Sequence, residues 1–129
     1  MNNNNALRLH AYFTSPYYND SHAPTHFEFQ QDFPTIEDAT AFRDQFPKAT
    51  KLFVYTIHTS EGGKYYGVTT RANLTSDRNN GGINETGLRR YQAVIKAAAK
   101  LGIEIVCDPN ATNAYETREE FEQAIGVAS

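Results

Sequence analysis

The chain has 129 residues, a hydrophobic fraction of 40%, a charged fraction of 21% and a formal net charge of −3. That length can bury a sizeable core and predicts one α+β domain over residues 1–129, with residues 1–6 as a frayed polar tail. A single cysteine, Cys107, excludes an internal disulfide and a thiolate-rich zinc site, and no apolar run approaches the roughly 20 residues that span a bilayer.

Residues 7–13 alternate Leu7, Leu9, Ala11 and Phe13 with Arg8, His10 and Tyr12, which predicts a strand. A loop marked by Pro16, Asn19-Asp20 and Pro24 follows. Residues 27–33 alternate again, with Phe27, Phe29 and Phe33 on one side and Glu28, Gln30 and Asp32 on the other. Thr35 then suits a helix N-cap, and Glu37 and Asp38 suit the positive helix start. Ile36, Ala39, Phe42 and Phe46 form the apolar stripe of that helix, and Pro47 ends it.

Residues 51–70 read as a hairpin. Two runs rich in β-branched and aromatic residues flank Ser60-Glu61-Gly62-Gly63, and the Gly-Gly pair is expected to supply the positive φ angles of a tight turn. Tyr65, Tyr66 and Gly67 stand side by side on the second strand, where the glycine leaves room for a close approach.

Residues 71–84 are polar, and Asn79-Asn80-Gly81-Gly82 breaks any regular element. Residues 85–101 predict the clearest helix, with Leu88, Tyr91, Ile95, Ala98 and Leu101 along one face and Gly102 as its C′ residue. Arg89, Lys96 and Lys100 fall together on the opposite face. Residues 103–107 predict a short buried strand, stopped by Asp108-Pro109. A last helix opens with Thr117 and Glu120 at capping-box spacing and presents Phe121, Ala124 and Ile125 for burial. The order β-β-α-β-β-α-β-α predicts a mainly antiparallel sheet with helices on one face, a ferredoxin-like sandwich.

Charge is unevenly distributed. Between residues 64 and 100, Lys64, Arg71, Arg78, Arg89, Arg90, Lys96 and Lys100 face only Asp77 and Glu85. Beyond residue 103 the acidic residues Glu104, Asp108, Glu116, Glu119, Glu120 and Glu122 face Arg118 alone. A basic middle and an acidic tail can pair with each other, or the middle can meet a polyanion, either nucleic acid or an acidic protein surface. Arg71, Arg78, Arg89, Lys96 and Lys100 are the candidate nucleic-acid contacts, with a tyrosine from the hairpin available for base stacking.

Other motifs carry less. His10, His22, His26 and His58 lie on strands or in a loop, without a ligand signature, so no metal is expected of them. Gly62-Gly63-Lys64 lies between two strands, whereas a phosphate-cradling loop needs a following helix. Cys107 follows an apolar run and reads as an inert thiol. The N-x-S/T triplets at Asn19, Asn73, Asn84 and Asn110 follow from an Asn- and Thr-rich composition. Residues 1–5 have none of the parts of a secretory signal, so a cytoplasmic location is expected.

The region from Phe53 to Ile125 resembles a degenerate GIY-YIG nuclease domain. Phe53-Val54-Tyr55 stands where that family has Gly-Ile-Tyr, and Tyr65-Tyr66-Gly67 where it has Tyr-Ile-Gly. The resemblance implies a magnesium-dependent phosphodiester hydrolase in which Tyr55 and Tyr65 help activate water. An arginine, Arg71 or Arg78, would steady the phosphate, and Glu119 or Glu120 would hold the metal. A second resemblance covers residues 27–70, whose order of elements is similar to that of small phage enzymes that degrade S-adenosylmethionine. Tyr17 and Glu28 would stand at the places of that family's tyrosine and glutamate.

Small size, the lack of a catalytic signature and the charge asymmetry favour a binding, accessory or inhibitor-like role over an enzyme. The composition suits a phage or mobile-element protein. The expected partners are nucleic acid or an acidic protein surface, with no membrane and with a homo-oligomer left open. No cofactor is expected unless the chain is nuclease-like.

Overall fold

The alternating segments pair into a five-stranded mixed sheet in the computed structural model, which describes residues 6–12, 26–74, 84–107 and 117–124. The strands are β1 (Leu7–Tyr12), β2 (His26–Phe33), β3 (Phe53–His58), β4 (Lys64–Asn73) and β5 (Ile105–Cys107). The helices are α1 (Ile36–Asp44), α2 (Glu85–Leu101) and α3 (Arg118–Ala124), and a short 3-10 turn spans Lys48–Thr50. Element order is the expected one. Strand order is β3-β4-β2-β1-β5, which departs from the expected ferredoxin-like arrangement.

The departure comes from the last strand. β1–β2, β2–β4 and β3–β4 are antiparallel, but β5 pairs with β1 in parallel. A parallel partner needs a long crossover, and α2 supplies it by carrying the chain from β4 over β2 and β1 to the far edge.

The register places Leu9 opposite Phe29, Phe29 opposite Thr70, and Val54 opposite Val68. Every second residue therefore shares one side, and that side meets the helices. Phe27 and Phe29 contact the ring of Tyr91 on α2, with centroids 5.5 Å and 5.7 Å away. Phe33 meets Phe42 of α1 at 5.1 Å, and Tyr91 meets Phe121 of α3 at 5.1 Å. All three helices thus lie on one face over a single buried core. Gln31 breaks the apolar alternation of β2, and its amide donates to the Ala6 carbonyl.

Local chemistry sets the ends of the elements. Thr35 Oγ1 accepts from Asp38 N–H at 3.1 Å and starts α1. Asn84 Oδ1 accepts from Thr86 and Gly87 N–H and starts α2, which closes at Gly102 with φ +74°. Thr117 and Glu120 exchange the two hydrogen bonds of a capping box, at 3.2 and 3.3 Å. Gly87 fits a tight contact: a Cβ there would stand 1.8 Å from the Asn73 carbonyl oxygen. The start of α2 is thereby pressed onto the end of β4.

Several expectations change. β4 continues to Asn73, and Leu74 is buried beyond it, so the polar segment starts later than residue 71. In the hairpin turn only Gly62 has positive φ, +89°; Gly63 N–H donates instead to Thr59 Oγ1 at 2.9 Å. Ile36 is 48% exposed, because the buried stripe of the short α1 begins one turn later at Ala39. Leu101 is exposed as well: after Gly102 the chain turns back, Ile103 N–H bonds the Ala98 carbonyl, and Ile103 takes the buried place. Phe13 and Ile125 lie outside the described residues. No helix among the described residues is long and apolar enough to cross a membrane.

Candidate functional site

The amphipathic pattern of α2 decides which of its residues reach solvent. Gly87, Tyr91, Val94, Ala97 and Ala98 face the core. Arg89, Lys96 and Lys100 are exposed, and at 3.6 residues per turn they fall within an arc of about 40° and along roughly 16 Å of the axis. Arg89 has an acidic neighbour, Glu85, 3.5 Å away, and both side chains are largely exposed. Lys96 and Lys100 have no ion-pair partner among the described residues. An exposed pair such as Arg89–Glu85 is held weakly and leaves the arginine available to a polyanion.

Other basic residues lie in two directions from the helix, and Arg71, whose side chain is on the opposite side of the sheet, does not join the exposed row of α2. Arg90 Nη1 donates to the Arg71 carbonyl at 2.7 Å, tying the start of α2 to the end of β4. The exposed Arg71 side chain lies near His26 on the neighbouring strand. The His26 pKa is lowered, first by burial and then by the Arg71 charge. Arg78 lies outside the described residues. In the other direction α2 packs against the Lys48–Thr50 turn. A groove of about 650 Å³ opens beside that turn, with Phe46, Pro47 and Leu52 in its wall and Arg43, Lys48 and Lys51 around it. Arg43 is paired with Asp44 at 2.8 Å, while Lys48 and Lys51 have no ion-pair partner among the described residues. Sequence reasoning missed these lysines because they flank a turn and share no periodic face with α2.

The opposite side of the sheet carries the hairpin tyrosines. Among the described residues no helix covers it. Tyr55, Ile57, Tyr65, Gly67 and Arg71 share this side by alternation. Tyr55 lies across Gly67, where a Cβ would sit 2.6 Å from the ring carbon Cε1. Burial raises the Tyr55 pKa, and the Asp32 and Glu28 carboxylates raise it further. Its hydroxyl therefore stays protonated and suits donation to a hydrogen bond rather than attack. Around it Arg8 Nη2 donates to Asp32 Oδ2 at 3.1 Å and Gln30 Nε2 donates to Asp32 Oδ1 at 2.8 Å, while Thr69 Oγ1 donates to the Phe29 carbonyl at 2.9 Å and lies 3.3 Å from Glu28 Oε2. Of this ladder the sequence signalled only the polar alternation along residues 27–33. Tyr17 lies outside the described residues, so its relation to Glu28 does too.

Glu119 and Glu120 stand elsewhere. They are exposed on α3, which packs through Phe121 on the helix side of the sheet. α3 lies near β5, where both glutamates raise the Cys107 pKa after burial has done so. β3 and β5 are the two edges of the sheet, four strand spacings or about 19 Å apart. An ion held by Glu119 or Glu120 is thus out of reach of Tyr55 and Tyr65, and these residues as arranged do not fit one magnesium centre. Glu120 is engaged instead in the cap with Thr117.

One buried polar group went unnoticed in the sequence. Glu122 is only 3% exposed; it accepts from Tyr91 Oη at 2.6 Å and from Arg118 Nη1 at 2.8 Å. Burial raises the Tyr91 pKa strongly, and the Glu122 hydrogen bond raises it further. This cluster pins α3 to α2 and is internal to the fold. Comparison with protein-family models, with curated proteins and with solved structures finds no match to this chain.

Proposed function

We propose that the chain is a small binding protein that meets the phosphate backbone of a nucleic acid along the exposed face of α2. The observation that carries this reading is the row Arg89, Lys96 and Lys100, with two of its three cations lacking an ion-pair partner among the described residues. Lys48 and Lys51, beside the turn that packs on α2, offer further positive charge. Contacts of this type carry affinity without reading bases, because each neutralised phosphate releases condensed counterions. The role is accessory: the chain occupies a polyanion and does no chemistry on it.

The nuclease reading keeps Tyr55, Tyr65 and Arg71 on a common side, but lacks a carboxylate from α3 within their reach. The binding reading needs no such convergence and is preferred.

Titration of duplex DNA and RNA with the purified protein over a salt series tests the proposal. Arg89→Gln, Lys96→Gln and Lys100→Gln combined should weaken binding and reduce the slope of log K against log salt by about 2.7 for a duplex, at roughly 0.9 per phosphate contact. Absence of binding by the wild type at low salt defeats the nucleic-acid reading and leaves an acidic protein surface as the partner of that face.

A further inference from the structure

The two edges of the sheet differ in how they are guarded. β5 has only three residues, and shortness blunts a strand edge. β3 has six, Phe-Val-Tyr-Thr-Ile-His, with no lysine, acidic residue or proline among them. Phe53 at its start is 49% exposed. Strands with free edges normally carry such guards, because unpaired N–H and C=O groups recruit another strand.

The backbone direction at this edge is fixed by the hairpin. Thr59 N–H donates to the Gly63 carbonyl at 2.9 Å, so Thr59 is a hydrogen-bonded position of the antiparallel ladder. By alternation Phe53, Tyr55 and Ile57 exchange bonds with β4, and Val54, Thr56 and His58 turn their N–H and C=O groups to the outer edge, which pairs with no other strand among the described residues.

We propose that β3 is the edge at which two copies of this chain join, antiparallel, about a two-fold axis at Tyr55. The strand is complementary to itself in that register. Val54 exchanges backbone hydrogen bonds with Thr56 of the partner subunit, and Phe53 faces Ile57 of the partner subunit. Such aromatic and β-branched pairs are the favoured cross-strand neighbours. Tyr55 meets Tyr55 of the partner subunit at the close, non-hydrogen-bonded pair on the axis. It has room to do so because its ring lies over Gly67, toward its own sheet. A two-fold axis perpendicular to the sheet also keeps both helical layers on the same side of one continuous sheet. This inference stands apart from nucleic-acid binding and holds or fails without it.

Sedimentation equilibrium of the whole chain should give twice the 14.5 kDa mass of one copy. Thr56→Pro removes an N–H that faces the partner and leaves the β3–β4 ladder intact, so the mass should fall to that of one chain with the circular dichroism unchanged. Phe53→Lys should do the same without touching the backbone, and it decides the matter if the proline variant fails to fold. With Cys107→Ser as background, Tyr55→Cys should form an interchain disulfide on mild oxidation, since close pairs lie about 4.5 Å apart between Cα atoms. Ile57→Cys should not, because the two copies of that position would be about 14 Å apart. A wild type that stays monomeric at every concentration overturns the proposal. So does a dimer that survives both edge substitutions, or cross-linking at Ile57 in place of Tyr55.

Discussion

The two sides of the sheet are built from the same strands and obey opposite rules. The helix side is filled by Phe27, Phe29, Phe33, Leu9 and Val68, each buried under α1, α2 or α3. The other side carries Arg8, Glu28, Gln30, Asp32 and Thr69, with polar contacts along β2 and across to β1 and β4, and Tyr55 laid over Gly67. Shape complementarity between apolar groups holds the first side, and any lost volume leaves a cavity. Partly hydrated polar pairs hold the second, and water can replace a lost partner. Most of the fold energy therefore resides on the helix side.

The largest expected effect breaks the comparison at adjacent residues. Phe29→Ala should destabilise by about 3–5 kcal/mol, whereas Gln30→Ala, one position along and facing the other way, should stay within about 1 kcal/mol. Urea denaturation of both variants measures the contrast, and equal losses would mean that the facing of β2 is wrong. Next in size is Gly87→Ala. Its Cβ would meet the Asn73 carbonyl oxygen, a backbone atom that can yield only if α2 shifts, so a loss of about 1–3 kcal/mol is expected. Thermal melting compared with Gly102→Ala separates this close approach from the ordinary cost of a glycine with positive φ.

The smallest effect sharpens the picture of the polar side. Burial and the Arg71 charge lower the folded pKa of His26 below its ordinary 6.5. The unfolded chain then binds more protons at this group, so its contribution to stability is retained above that pH and declines as pH falls through it. Replacing Arg71 with Gln should raise the His26 pKa in an NMR titration, and an unchanged value would remove Arg71 as a cause.

The sequence made local features legible where one residue type suffices to cause them. Alternation gave the facing of β2, Gly102 gave the end of α2, and Thr117 with Glu120 gave the cap of α3. The charge row on α2 followed from helical spacing. Strand order did not, because pairing partners lie far apart in sequence and alternation is silent about which strand adjoins which. The same applies to Arg8 with Asp32, to Tyr55 over Gly67, and to the burial of Glu122 beneath Tyr91 and Arg118. The separation of Glu119 and Glu120 from the tyrosines has this origin too, since it depends on β5 joining the edge beyond β1.

The pairing of β1 with β5 has a consequence for how the chain is made. Leu7 lies beside Ile105, so β1 waits for one of its two neighbours until α2 and β5 have been made. Contacts across such separations close slowly, and they are the ones that lengthen folding times. β2, β3 and β4 have neighbours close by in sequence and can assemble while the crossover helix is still emerging from the ribosome. During that interval the far side of β1 is an unpaired edge with Leu7 and Leu9 beside it, the kind of surface on which growing chains aggregate. The arrival of α2 and β5 removes that hazard from one end of the sheet, and at the other end β3 has no second strand partner among the described residues.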